Sequence, residues 1–223
     1  MDSGSKTLRL YLPILLAITC LALLMASLLN PSLINLFQPT PQTPITLTIK
    51  LLPKPVIISN LHLLDAQNHA FTLERLQDHW SLIYFGYMNC PDVCPATLSI
   101  MQQVWRQLRE QKADMTQFQL VFVSVDPDRD QPQQLQEYAG YFDPSFIGIS
   151  GDANEIDNFT RQTDIKYGFE DEDETGNYAV NHSTRILLLD PQARLRAFLS
   201  SPFDSKSITH DLLAIQQYYG VHS

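Results

Sequence analysis

SLIYFGYMNCPDVCP, residues 81–95, decides how the chain is to be read. Ser81–Tyr87 is a short apolar, aromatic-rich run of the kind that fills a central strand. Pro95–Gln111 then carries Leu98, Met101, Val104, Trp105 and Leu108 at helical spacing, with Pro95 in a first-turn position. Cys90 and Cys94 therefore stand where a strand gives way to a helix. Backbone N–H groups left free at a helix start favour anions, so the position favours thiolates. Thiolates are both redox nucleophiles and soft metal ligands, and position alone leaves the two chemistries open. An inert disulfide is the bland alternative, but its loop is too short to stabilise much.

Outward from this stretch, strand and helix signals alternate in the manner of an α/β sheet. Gln119–Val125 reads as a second buried strand, Pro132–Tyr141 starts a helix, and Ser145–Ile149 reads as a third strand. Asp152 and Glu155 form a capping box that opens a helix through about Thr163. Thr184–Leu189 and Arg194–Leu199 make a hairpin about Asp190-Pro191-Gln192-Ala193, and a closing helix covers roughly Ser205–Tyr219. Strand–helix–strand, then hairpin and helix, is the thioredoxin-like order with an extra strand and helix inserted. The expected fold is a central sheet flanked by helices.

Composition limits the remaining choices. The chain has 223 residues, 44% hydrophobic and 17% charged, which is globular and not disordered. Three cysteines are too few for a disulfide scaffold. A net charge of −9 and a pI near 5.0 leave no basic face for nucleic acid. Asp2, Lys6 and Arg9 are the only charged side chains before Lys50, and residues 10–29 carry none. About 20 such residues span the ~30 Å hydrocarbon core of a bilayer. A cleaved signal would want a clean A-x-A, and a lipoprotein signal a small residue before Cys20, where Thr19 stands. The reading is an uncleaved single-pass transmembrane helix over 10–29. Residues 1–9 are then cytoplasmic. Residues 30–44 form a linker carrying Pro31, Pro39, Pro41 and Pro44, and residues 45–223 form the folded domain. Lys6 and Arg9 precede the span, so the domain is expected on the extracytoplasmic (periplasmic) side of the inner (plasma) membrane.

The spacing of the sulfurs narrows their chemistry. Thioredoxin-type oxidoreductases separate the pair by two residues. Three intervening residues suit a ligand shared between the sulfurs. Zinc wants four ligands, and the domain offers only two cysteines. Cu(I) is content with two or three soft or borderline ligands, so two thiolates and one imidazole suffice. Of His62, His69, His79, His182, His210 and His222, the fourth stands out. It precedes the strand Thr184–Leu189, in the loop that faces the dithiol in a thioredoxin-like sheet. Val180-Asn181-His182-Ser183-Thr184 has no proline where oxidoreductases place a cis-proline, and presents an imidazole instead.

CPDVCP at 90–95, VDPDRDQP at 125–132 and YAVNHS at 178–183 resemble, in that order, the Sco/SenC family of membrane-anchored copper chaperones for cytochrome c oxidase. The resemblance runs from the anchor to the closing helix. It implies a thioredoxin-like domain outside the cytoplasm that holds copper through Cys90, Cys94 and His182, with Cu(I) the expected state and Cu(II) left open. It implies that this copper goes to the dinuclear site of the oxidase's copper-carrying subunit, or that the cysteines of that site are reduced. A copper donor and a thiol reductase are the other implied partners. Asn181 stands where the family usually has an acidic residue.

Asp126–Pro132 mimics a calcium loop, but Gln131 replaces the required glycine. The plain reading is a strand-to-helix loop capped by Asp130, with Pro132 in the first turn. The resemblance places this loop beside the copper site, where Asp128 or Asp130 would hold a partner or orient His182. Pro91, Asp92 and Pro95 shape the loop. Glu170–Glu174 reads as a solvated acidic run that could steer a basic partner. A metal-free alternative function is thiol–disulfide exchange, with Cys90 attacking and Cys94 resolving. A peroxidase is disfavoured, since no Thr-x-x-Cys signature precedes the helix.

Overall fold

The computed structural model describes residues 4–29 and 46–220. The chain divides into two compact units, residues 1–43 and 44–223. In the first unit, α1 (Gly4–Leu29) is one continuous helix. Its side chains are described over residues 14–26, all exposed, about 20 Å of helix at 1.5 Å per residue. Among the described residues no helix is long and apolar enough to cross a membrane. The proline-rich linker expected over 30–44 lies outside the described residues, as does His222.

The second unit is built on β4 (Trp80–Gly86) and β5 (Phe118–Ser124), each buried at every residue. A run buried on both faces has no use for polar alternation, which is why both segments read as continuous apolar stretches. They pair in parallel, and β5 pairs in parallel with β6 (Ile147–Ile149). On the other side, β9 (Ile186–Leu189) and β10 (Leu195–Leu199) add antiparallel strands, and β1 (Lys50–Val56) closes the edge. The order is β1-β10-β9-β4-β5-β6. This mixed sheet flanked by helices is the expected thioredoxin-like architecture. The helices of this unit are α2 (Val93–Glu110), α3 (Pro132–Phe142), α4 (Ala153–Gln162) and α5 (Ser205–Gly220). The Gln107 side chain ties α2 to α5, donating to Ser205 Oγ at 3.1 Å and accepting from Thr209 Oγ1 at 3.0 Å.

Five strands have no counterpart in the sequence reading. β1 carries Lys50, Pro53, Lys54 and Pro55, which blunt an exposed edge against further pairing but also disguise it as loop. β2 (Leu63–Leu64) and β3 (Ala70–Phe71) are too short to show a period. The other two pair with each other: β7 (Tyr167–Phe169) and the strand, described below, that carries the candidate histidine.

The start of the sheet unit is held by one buried carboxylate. Asp211, 0% exposed on α5, accepts from the backbone N–H groups of Leu47 (2.8 Å), Thr48 (2.7 Å) and Ile49 (2.9 Å). A chain entering a domain here would otherwise leave three donors without acceptors, the buried Ile49 N–H among them. Asp211→Ala is expected to cost about 3 kcal/mol, since each orphaned donor loses its bond. At this size that lowers Tm by roughly 6–12 °C. Thermal unfolding beside Asp211→Asn, which keeps one acceptor oxygen, checks it: the asparagine variant should lose markedly less.

Candidate metal centre

The end of β4 delivers both sulfurs. After Gly86 the chain turns, with Cys90 N–H donating to Tyr87 O at 3.3 Å, and α2 begins at Val93. The helix thus starts two residues earlier than Pro95, which is tolerated inside a first turn because no intrahelical donor is needed there. Cys94 lies in that first turn, and its own N–H donates to Cys90 Sγ at 3.4 Å. Both cysteines are free thiols. Cys90 sits at the rim, 9% exposed, whereas Cys94 is fully enclosed.

The imidazole arrives on a hairpin, not on a loop. β8 (Val180–His182) pairs antiparallel with β7, with Tyr167 opposite His182, and β9 begins only at Ile186. The acidic run Glu170–Glu174 lies in the connection of this hairpin. There Asp173 Oδ1 accepts from the N–H groups of Thr175 and Asn177. Asn181 donates to Glu170 Oε1 at 2.7 Å. His182 Nδ1 lies 3.0 Å from Ser183 O, a pure acceptor, so Nδ1 carries the hydrogen. The lone pair of Nε2 is left facing Cys94 Sγ at 3.3 Å. The rings of Tyr87 and Tyr84 meet the imidazole edge-on at centroid distances of 6.0 and 6.2 Å.

Burial reverses one expectation. It pushes the Cys94 thiol up to about 12, against the pull of the Tyr87 backbone N–H, so the helix start does not make Cys94 a thiolate by itself. Burial also holds His182 below the ordinary histidine range, with the Ser183 carbonyl pulling the other way. The imidazole is accordingly neutral, as a metal ligand must be.

The VDPDRDQP loop braces the site without supplying a ligand. Asp130 does not cap α3, whose N-cap is Gln131 with no side-chain bond. Its carboxylate is buried and accepts instead from Ser124 Oγ (2.7 Å) and Met88 N (3.1 Å), pinning the loop that leads to Cys90. Burial raises the pKa of Asp130. Asp128 is exposed, and His182 is oriented by Ser183, not by either aspartate. Asp126, fully buried, joins the loop to the histidine hairpin. It accepts from Tyr178 Oη at 2.9 Å and pairs with Arg129. The Arg129 guanidinium lies 3.6 Å over the Tyr178 ring and donates to Tyr178 O at 3.0 Å. Sequence reasoning missed Tyr84, Gly86, Tyr87, Arg129 and Tyr178. Only Gly86 carried a usable signal, since glycine inside a strand marks a close approach.

Among the described residues, Cys90, Cys94 and His182 are the one set of three such side chains whose ligand atoms gather, all within 4.8 Å of one another. An ion bonded at ~2.3 Å to three coplanar donors needs them about 4 Å apart. Two thiolates and a neutral imidazole suit a soft, low-coordinate ion such as Cu(I). His62, His69, His79 and His210 stand outside this set. A cleft of about 240 Å³ opens onto Cys90 and His182 between Val93 and Val180.

The SCO1/SenC family model matches residues 50–217. A Stutzerimonas stutzeri protein named for copper binding is 35% identical over 154 residues, 69% of this chain and 74% of its own length. The copper-bound structure of Arabidopsis thaliana ScoI is 30% identical, with a TM-score of 0.65 over 74% of this chain and 98% of that one. Copper-bound Bradyrhizobium japonicum ScoI is also 30% identical, with a TM-score of 0.63 over 70% and 98%. The match takes in the strand–turn–helix with both sulfurs, the bracing loop and the histidine hairpin, and the chain belongs to the SCO1/SenC family.

Proposed function

We propose that the chain is a membrane-tethered copper carrier that serves cytochrome c oxidase. It delivers copper to the dinuclear site of the copper-carrying subunit, or reduces the cysteines of that site. The observation that carries the copper reading is the convergence of Cys90, Cys94 and His182 within 4.8 Å. The copper-bound relatives support it. The charge-free run 10–29, with exposed leucines over 14–26, supports the tether, and Lys6 and Arg9 support a domain outside the cytoplasm.

Copper is the cargo, and the chain's own groups set how it enters and leaves. Cys90, at the mouth of the cleft, is the sulfur a donor or acceptor protein can reach. His182 meets the ion as a neutral base, because Ser183 holds the hydrogen on Nδ1. Cys94 is a protonated thiol at neutral pH, so loading must displace its proton, and reprotonation assists release. Outside the cytoplasm the pair needs a thiol reductase to stay reduced, and a copper donor to be filled.

Anaerobic Cu(I) titration of the reduced full chain against a competing chelator tests this. One equivalent held tightly, and not held once the cysteines are oxidised to a disulfide, is the expected result. Weak or non-stoichiometric uptake would sink it. The alternative, metal-free thiol–disulfide exchange, would then stand on the split between an accessible Cys90 and an enclosed Cys94.

A further inference from the structure

Two segments far apart in the chain must meet to make the site, since Cys94 and His182 are 88 residues apart, and one loop grips both. On the sulfur side, Asp130 holds the Met88 N–H at 3.1 Å, just before Cys90. On the histidine side, the preceding residue, Arg129, reaches Tyr178, just before β8. Its guanidinium lies over the Tyr178 ring at 3.6 Å, Nη1 donates to Tyr178 O at 3.0 Å, and Nε donates to the fully buried Asp126. The same cation stands 5.8 Å from the centroid of the Tyr87 ring, which meets the His182 imidazole edge-on at 6.0 Å. A group that only neutralised Asp126 would need a charge and no plane. Arg129 is used as a plane, stacked on one tyrosine, facing a second and donating in two directions, which a lysine ammonium does not reproduce.

We propose that Arg129 is a positioning residue that sets where His182 stands against the two sulfurs. It acts through Tyr178 on the backbone that leads into β8, and through Tyr87 on the imidazole ring. Asp130 fixes the sulfur loop from the next position in the chain, so residues 126–130 work as one clamp on both halves of the site. A separate tie, from Tyr167 Oη to Asp157 on α4, keeps the hairpin attached when the clamp is cut. The consequence for copper rests on the copper reading above, whereas the clamp itself is tested in the metal-free chain.

Arg129→Lys keeps a cation beside the buried Asp126, so the domain should fold, but it removes the stack and the second donor. In the metal-free full chain, backbone amide exchange across residues 178–183 should quicken about tenfold, the equilibrium worth of a partly desolvated cation–π contact, with β4 and β5 unchanged. Cu(I) affinity, by chelator competition, should fall about tenfold, within the range seen when an orienting group is lost. In the His182→Ala background the same substitution should cost nothing further, because the group it positions is gone. Tyr178→Leu cuts the stack from the hairpin side while Arg129 and Asp126 stay paired. It should reproduce both losses, and it carries the test if the lysine variant unfolds. Unchanged amide exchange and affinity in a folded variant, or a loss that adds in full to that of His182→Ala, would overturn the clamp. A wild type that takes no copper would overturn the copper reading, and amide exchange alone would then decide the clamp, quickened exchange supporting it and unchanged exchange overturning it.

Discussion

Replacing His182 with alanine should lower Cu(I) affinity by roughly 100-fold or more, since losing even a group that orients a ligand costs about 10–100-fold. Thiol–disulfide exchange at Cys90 and Cys94 should stay close to wild type. The asymmetry follows from what each reaction needs. Exchange needs an accessible sulfur and a resolving one, and Cys90 and Cys94 remain as they were. Copper needs the Nε2 lone pair as well, which stands 3.3 Å from Cys94 Sγ and is aimed there by the Nδ1 contact with Ser183. No other histidine among the described residues joins the set. The fold should survive, because the hairpin is held from elsewhere. Asp126 and Arg129 grip Tyr178, and Tyr167 Oη is bonded to Asp157. Chelator competition and reduction kinetics with a small dithiol, run on the same preparation, give both numbers. Wild-type copper affinity in the variant would remove His182 from the site and leave exchange as the better account of the two sulfurs.

Much of this site was legible because its residues are chemically scarce. Two cysteines at a strand–helix junction and one well-placed histidine can be picked out of 223 residues without knowing any contact. The two central strands were legible for a different reason: burial on both faces writes itself as an unbroken apolar run. What escaped had no such signature. β1 hides behind Pro53 and Pro55, and the hairpin of β7 and β8 hides behind the acidic run in its connection. His182 was therefore placed in a loop although a strand presents it. Asp130 read as a helix cap because carboxylates before a Pro-initiated helix usually are caps. Its actual task, holding Met88 N–H from 42 residues away, is a tertiary fact that no local pattern encodes. The state of Cys94 failed similarly. A helix start argues for a thiolate, but full enclosure costs the charge more than the free N–H groups return.

Gly86→Ala should disable the site from beneath while leaving all three ligands in the sequence. Gly86 is the last residue of β4, and a Cβ there would meet Phe122 Cε2 at 2.6 Å and Cys94 Sγ at 2.7 Å. Neither neighbour can simply retreat. Phe122 is fully buried between the rings of Tyr84 and Tyr138, and Cys94 is fully buried in the first turn of α2. Overpacking of this kind costs about 1–3 kcal/mol, or roughly 2–12 °C in Tm, which a folded domain can absorb. The metal site has less tolerance, because three donors must converge on one ion and the displaced atom is one of the three. Cu(I) affinity should drop by roughly 100-fold, in the range seen when ligand orientation is lost. X-ray absorption of whatever copper remains should count one sulfur neighbour in place of two. That count separates this variant from His182→Ala, which keeps both sulfurs and loses the nitrogen. Two sulfurs at wild-type affinity would mean that Phe122 yields and Cys94 does not, and the close approach at Gly86 would then serve packing alone.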